Sequence, residues 1–583
     1  MTYAAPIKDM RNVLSDICDI EGLSEAAFPD LSPDLVDAIL EEANKFASGV
    51  FAPLNRVGDE KGAILENGVV RLPEGFKEAY QSFVEGGWNC LSGTPDYEGQ
   101  GLPFVLQTAV QEMITSANMA FSLCPMLSQG AIEALSAHGT DEQKATYLPK
   151  LISGEWTGTM NLTEPQAGSD VGALKSKAEP LGDGRYKIKG TKIFITWGEH
   201  DCASNIVHLV LARLPGAPEG TKGISLFLVP KFHVNEDGSL GDRNDLRCVS
   251  LEHKLGIHAS PTCVMSYGDN DECIGYLIGE ENRGMACMFT MMNNARIGVG
   301  LQGVAIAERA YQAAVQYAKD RVQSAKFGSR GEGVAIIQHA DVRRMLMSMK
   351  AQIEAARAIV YLTASSVDRA HHGASEDERQ RAQGLADLLT PIAKAFGTDV
   401  GVDVASIGVQ VHGGMGYIEE TGAAQHYRDA RITPIYEGTN GIQALDLVGR
   451  KLGLEGGAHW QDLFADMRAD ISALSGDEDI VAMQPYLEDS LEALVATTRW
   501  LAGQGFENAD NIAAGATPYL RMFALVLGGY LLMKQAVKSQ DKVKISTARF
   551  FAEQFLPQAV ALQGPVTRGG QILFALDEDE FAA

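Results

Sequence analysis

Two short stretches, Gln410-Val-His-Gly-Gly-Met-Gly-Tyr417 and Tyr436-Glu437-Gly438-Thr439-Asn440-Gly441, decide how this chain is read. In the first, glycines beside a glutamine and a histidine let backbone approach a ligand closely. In the second, one carboxylate stands between an aromatic ring and a glycine. The apolar residues Ile432, Pro434 and Ile435 lead into it, and Ile442, Leu445 and Val448 follow at helical spacing. On spacing alone, a solvated surface carboxylate explains Glu437 as well as a reactive one does.

The 583 residues allow about three or four domains, each with a real core. A hydrophobic share of 45% beside 21% charged residues is that of an ordinary globular protein. The net charge of -26 argues against nucleic acid as a partner and against an anionic membrane surface. Eight cysteines are scattered without a CxxC or a paired metal spacing, which reads as reduced thiols in a cytoplasmic setting, with no metal. The opening residues lack a basic region followed by an apolar core, so no secretory signal is expected. The longest apolar run, 519–533, is broken by Arg521 and is too short to span a bilayer. A core helix is expected there, and no membrane span.

Outward from the two stretches, the pattern divides the chain into four. Residues 1–157 read as an N-terminal helical domain, with an ordered Gly/Pro-rich loop at 86–103 and a buried helix pair at 104–135. Residues 158–278 carry short β-type runs at 188–196, 206–214, 224–229, 246–251 and 262–267, as for a small barrel or sandwich. Residues 279–454 return to long helices, with Val342, Met345, Leu346, Met349 and Ile353 on one face and Leu385, Leu388, Leu389, Ile392 and Phe396 on another, as in a bundle. Glu455-Gly456-Gly457-Ala458-His459 reads as a hinge into a further helical block, 460–583. The fold class expected is mostly α with a middle β domain.

Three motifs lie upstream of the deciding stretches. Leu162-Thr-Glu-Pro-Gln-Ala-Gly-Ser-Asp170 offers short hydroxyls and a glycine whose backbone can face a carbonyl or a phosphate, although ordinary turns use the same residues. In Lys192-Ile-Phe-Ile-Thr-Trp-Gly198, alternation places Phe194 and Thr196 on one face, suited to a flat ring, although a half-buried strand explains it too. Gly298-Val-Gly-Leu-Gln-Gly303 fits the dinucleotide fingerprint, but both flanks read as helix, so close helix packing is expected and NAD is rejected.

Taken in order and spacing, 162–170, Phe194-Ile195-Thr196, 410–416 and Tyr436-Glu437-Gly438-Thr439 resemble the acyl-CoA dehydrogenases over about residues 35–450. The last block and the opening Met1-Thr-Tyr-Ala-Ala-Pro-Ile-Lys-Asp-Met-Arg11 resemble a bacterial branch of that family. Within it the likeness is to members that oxidise 3-methylmercaptopropionyl-CoA, formed when the sulfonium metabolite DMSP is demethylated. The resemblance implies a helical domain, a β-barrel domain and a four-helix bundle, with FAD between the last two and crossing a subunit interface. It implies an acyl-CoA substrate, an electron-transfer flavoprotein as electron acceptor, and a homo-oligomer, a dimer by branch. General short- or medium-chain β-oxidation, an acyl-CoA oxidase and a nucleic-acid-binding flavoprotein stay open as alternatives; the acidic runs of 460–583 speak against the last.

Carried over by motif, the resemblance makes Glu437 the base that removes the α proton of the thioester. It sets Leu162 and Thr163 at the flavin pyrimidine edge, and Phe194 and Thr196 beside the flavin ring near N5. Ser169 stands near the CoA phosphates. Arg321, Gln410 and Gly414 are implied as pyrophosphate contacts from a second subunit, with Phe327 and His339 in the same FAD site. An insert after Arg321 displaces those last two relative to the family pattern. Thr439 is implied as a further FAD contact, whereas the glutamine usual two residues later is Gly441 here. Asn293, Arg296, Tyr436 and Gly438 are implied on the substrate side. A rival position for the base, on the helix of Arg296, is Ala295 in this chain.

Overall fold

A computed structural model describes residues 3–504 and 509–582. Met1 and Thr2 of the opening segment, and 505–508 and Ala583 of the last block, lie outside the described residues.

The first part of the chain is helical, from α1 (Ile7–Asp16) to the buried pair α2 (Phe104–Ala117) and α3 (Met119–His138). Almost all of α2 and α3 is buried, so these helices are apolar nearly all round. One exception to the helical expectation is a hairpin, Ile64–Glu66 with Val69–Arg71. Its turn is Asn67-Gly68, both at positive φ (51° and 78°), the dipeptide most suited to a two-residue hairpin.

Eight strands then form one sheet: β1 (Trp156–Asn161), β2 (Lys177–Pro180), β3 (Arg185–Thr196), β4 (Asn205–Arg213), β5 (Ile224–Pro230), β6 (Leu246–Leu251), β7 (Thr262–Tyr267) and β8 (Ile274–Ile278). Their order is β6-β7-β3-β8-β5-β4-β1, with β2 alongside β3 and β4. β3 pairs with β8 through Arg185–Lys187 and with β7 through Gly190–Thr196, so this one strand curls the sheet over itself. The core of β4 and β5 is buried on both faces, because α3 covers one side and the curled half of the sheet the other.

Three long helices follow: α4 (Gly284–Asp320), α5 (Ala340–His372) and α6 (Glu376–His412). The shorter α7 (Asn440–Gly449) packs on α6 and completes the bundle. The glycines of the rejected dinucleotide fingerprint lie inside α4. A Cβ on Gly300 would sit 2.5 Å from the Ala393 carbonyl oxygen, and one on Gly303 would sit 2.0 Å from that of Gly397. These glycines let α4 and α6 cross with backbones nearly touching.

Glu455, Gly456 and Gly457 are all at positive φ and reverse the chain into the last block. There α8 (Ala509–Ser539) holds the apolar run noted above. It is long and apolar enough to cross a membrane, longer than the run suggested, but 83% of its apolar window is buried against the protein. It packs against α5, α6 and α7, behind the helix that follows Glu437. A buried ionic network ties the ends of the chain together. Arg357 on α5 bonds Glu112 of α2 at 2.7 Å, Glu308 of α4 at 2.9 Å, and Asp9 of α1. Asp9 also pairs with Lys544 of α9 (Lys542–Gln554). Such a network is expensive to break by removing one member, because the others stay buried.

Candidate active site

Glu437 ends a tight turn. Ile435 and Tyr436 donate their N–H groups to the carbonyl of Ile432, and Asn440 donates back to Pro434 at 3.0 Å. Glu437 itself has φ 56° and Gly438 φ 84°. A glutamate in the left-handed region is uncommon and strained, and such residues cluster where geometry serves function. Gly438 is required twice over, since a Cβ there would also lie 2.4 Å from Nε2 of Gln443. Gln443, one turn into α7, donates to the Gly438 carbonyl at 3.2 Å and secures the bend.

Two buried cations flank this half-buried carboxylate. Arg296 projects from α4, with Nη2 3.8 Å from where a Gly438 Cβ would be, and its nearest acid is Asp446 at 3.6 Å. Lys394 projects from α6 and donates to the Thr433 carbonyl at 2.9 Å and to Oδ1 of Asn440 at 2.8 Å, bracing both ends of the turn. Burial pushes the Glu437 carboxyl up, and the charges of Arg296 and Lys394 partly counter it. Burial also lowers the Lys394 ammonium to about 7, against the pull of Glu437 and Asp399. Nε and Nη1 of Arg296 and Oε1 of Gln443 are buried without a hydrogen-bond partner. Unpaired buried polar atoms on residues beside one raised carboxyl make this the candidate site for a polar ligand.

The flavin-side candidates gather on the β domain. Glu164 and Ala167 exchange backbone hydrogen bonds around Pro165-Gln166, which exposes Gly168 and Ser169. A fully buried Lys192 holds this loop, donating to the Leu162 carbonyl at 3.0 Å and to Glu164 at 2.8 Å. Burial opposes both charges, yet Lys192 and the amide groups around Glu164 hold that carboxyl at about 2, while the ammonium is lowered to about 8. Ile193 donates to the Thr163 carbonyl at 2.9 Å, which sets Thr163 beside Phe194. The strict alternation expected along this strand is interrupted. Lys192 and Ile195 are both buried, because the strand bulges between them: Ile193 and Phe194, the latter at φ 59°, together oppose Val264 of β7. Phe194 is 57% exposed, an aromatic residue turned outward beside Thr196, as a flat cofactor ring requires.

The remaining candidates stand elsewhere. Arg321 closes α4 at its far end, 25 residues beyond Arg296, which at helical rise is about 37 Å away. Gln410, Gly413 and Gly414 end α6 and are exposed, and the two glycines have open space around them. Phe327, on the insert, is fully exposed, and His339 bonds the Gln323 carbonyl at 2.9 Å within the same segment. Thr439 stands at the N-terminus of α7, its hydroxyl donating to Pro434 at 3.2 Å, and Asn293 lies one turn before Arg296 on α4. Lys394 and Gln443 are absent from the motif reading, and Lys192 stands in a motif without a role of its own. Lys192 is one of three lysines on its strand and Lys394 a single lysine in an apolar run, and only their burial and partners show what they brace.

Sequence profiles of the acyl-CoA dehydrogenase N-terminal, middle and C-terminal domains match residues 34–155, 159–269 and 282–452, and an acetyl-CoA dehydrogenase C-terminal-like profile matches 463–577. The chain belongs to the acyl-CoA dehydrogenase family. It is 47% identical to the 3-methylmercaptopropionyl-CoA dehydrogenase of Ruegeria pomeroyi, across 98% of this chain and 99% of that one. It is 36% identical to a butyryl-CoA dehydrogenase of Syntrophomonas wolfei, across 95% of each. Its fold matches Caenorhabditis elegans ACDH-11, solved in complex with C11-CoA, with a TM-score of 0.77 at 22% identity over 95% of this chain and 92% of that one. The family reading of the four motifs, and of a β domain between helical ones, is borne out.

Proposed function

We propose that this enzyme dehydrogenates 3-methylmercaptopropionyl-CoA to the 2-enoyl thioester, methylthioacryloyl-CoA, with Glu437 as the base. The carrying observation is the strained turn at Glu437, with its carboxyl raised by burial and faced by buried, unpaired atoms of Arg296 and Gln443. A carboxylate with a raised pKa is the better proton acceptor for a weakly acidic carbon. Glu437 takes the proton from the α carbon, and the two cations beside it stabilise the ionised form that starts each turnover. Arg296 and the Gln443 amide orient the thioester arm.

FAD fits the remaining residues: Phe194 and Thr196 present a ring face and a hydroxyl, Leu162 and Thr163 an edge, and Thr439 the start of α7. When bound there, FAD supplies the acceptor for the hydride that leaves the β carbon. Arg321, with Phe327 and His339 in the segment after it, and Gln410 and Gly414 at the end of α6 lie too far from the Glu437 end of the bundle to reach the same flavin in one chain. We assign them to the FAD of a second copy, and so read the protein as a homodimer. An electron-transfer flavoprotein then takes the electrons. The setting is cytoplasmic.

The identity to the Ruegeria pomeroyi enzyme over nearly the whole of both chains supports the sulfur-containing substrate. An anaerobic titration of the FAD-loaded protein with acyl-CoAs, read as loss of flavin absorbance, tests it. Bleaching is expected with 3-methylmercaptopropionyl-CoA in preference to palmitoyl-CoA. Preference for the long chain overturns the substrate, and rapid reoxidation of the reduced protein by air overturns the dehydrogenase reading in favour of an oxidase.

A further inference from the structure

Arg521 interrupts the apolar run of α8, between Leu520 and Met522, both buried. Its guanidinium leaves that core and reaches α6, where Nη1 lies 3.9 Å from Oδ2 of Asp403. The Asp403 side chain is 49% exposed, and a pair this long and this open contributes little by itself. One turn back on the same face of α6 stands a second, more deeply placed carboxylate, Asp399. Burial pushes the Asp399 carboxyl up and the charge of Asp403 adds to this, whereas the Asn440 amide, Arg521 and Lys394 hold it down. The last block thus lends α6 a cation that acts on two carboxylates at once.

Asp399 is tied to the base turn by hydrogen bonds. Its Oδ1 accepts from Nδ2 of Asn440 at 2.7 Å, and Oδ1 of Asn440 accepts from the Lys394 ammonium at 2.8 Å. Asn440 therefore shows its oxygen to a cation and its nitrogen to a carboxylate, and an amide turned the other way loses both contacts. Lys394 in turn holds the Thr433 carbonyl, and its charge acts on Glu437. Each step favours charge on the next: ionised Asp399 favours the Lys394 ammonium, and the ammonium favours ionised Glu437. Arg296 of α4, paired with Asp446 of α7, also faces Glu437 and opposes the Lys394 charge. The Tyr436 phenol beside them is kept neutral by burial.

We propose that Arg521 is a positioning residue for the base, acting through Asp399, Asn440 and Lys394, and that the last helical block is thereby part of the reaction centre. This rests on the reading of Glu437 as the base. Without the guanidinium, Asp399 takes up a proton more readily and its charge-assisted bond to Asn440 weakens. Lys394 then gives up its charge at lower pH, and Glu437 ionises only at higher pH.

Flavin reduction by 3-methylmercaptopropionyl-CoA, followed in stopped flow from about pH 6 to about pH 9, tests this. The proteins compared are FAD-loaded wild type, Arg521→Met, Arg521→Lys and Asp399→Asn. In Arg521→Met the acid limb is expected to move up by about half a pH unit, a roughly threefold slower reduction at the acid end. The rates should converge at the alkaline end, where Lys394 is uncharged in either protein. Arg521→Lys restores the charge and should return the limb. Asp399→Asn should move it at least as far, and adding Arg521→Met to that variant should move it no further. An unmoved limb overturns the proposal, and so does a rate lowered equally at every pH, which marks a role in packing alone. If Arg521→Met does not retain FAD, Asp399→Asn decides by the same two criteria. Glu437→Gln measured alongside separates the two readings. Fast reduction there removes the base, whereas slow reduction there beside an unmoved limb in Arg521→Met removes only the arginine.

Discussion

The two ends of α4 differ in a way that describes the whole enzyme. At the Arg296 end, one chain supplies everything around Glu437: a strained turn, two buried cations from different helices, and the Gln443 amide that holds the bend. At the Arg321 end, Arg321, Phe327, Gln410 and Gly414 are exposed, Arg321 and His339 bond within their own segment, and the glycines of 413–414 face open space. Acid–base chemistry needs one carboxylate held at fixed charge and distance, which a single core can preorganise. A pyrophosphate needs donors converging from several directions, which an exposed helix end supplies only against a second surface. Under the proposed dimer, each reaction centre would be one complete half and one borrowed half.

Substitutions break this comparison in order of size. Glu437→Gln keeps the turn and removes the base, so turnover is expected to fall about 10²–10⁴-fold with FAD content unchanged; near-normal steady-state rates would remove Glu437 from its role. Gly438→Ala forces a Cβ into the Gln443 amide at a positive φ, and strain of about 1–3 kcal/mol predicts roughly ten- to hundredfold slower turnover. Flavin reduction rates in stopped flow measure that. Arg321→Ala acts at the other end and should leave the reduction rate of bound flavin alone while weakening FAD retention roughly tenfold or more. Equilibrium FAD titration checks it.

The smallest effect is one of pH. Proton abstraction needs ionised Glu437, so activity falls as pH drops through its pKa, which burial has raised. Lys394 holds that pKa down through its charge, so Lys394→Met should move the acid limb of the kcat profile to higher pH. The same limb in the wild-type position would show that Lys394 braces the turn without tuning the base.

Much of this was legible in the sequence, for physical reasons that differ by region. Helices α4 to α6 and strands β4 to β7 declare themselves by periodicity, because each buries one face or both. The Glu437 turn was legible as a motif, since a glycine after a carboxylate marks a backbone bend. The hairpin at 64–71 was missed although Asn67-Gly68 signals it, because helical patterns on either side set the reading. The left-handed Phe194 was not legible: strand alternation assumes an unbroken pleat, and the extra residue that breaks it on β3 shows only in the register with β7, some seventy residues away. Lys394 escaped for a related reason. A lone polar residue in an apolar helix shows what it serves only when its partners on other elements are known.

The most direct test of a shared reaction centre mixes its two halves. Glu437→Gln and Arg321→Ala chains would be co-expressed, and the heterodimer isolated and assayed at an FAD concentration that leaves the Arg321→Ala homodimer empty. The account predicts activity well above that of either parent, because one of the two centres then combines an intact Glu437 with an intact Arg321 from the other copy. Activity no higher than the mean of the parents would contradict it, and would place both residues in a centre built by a single chain.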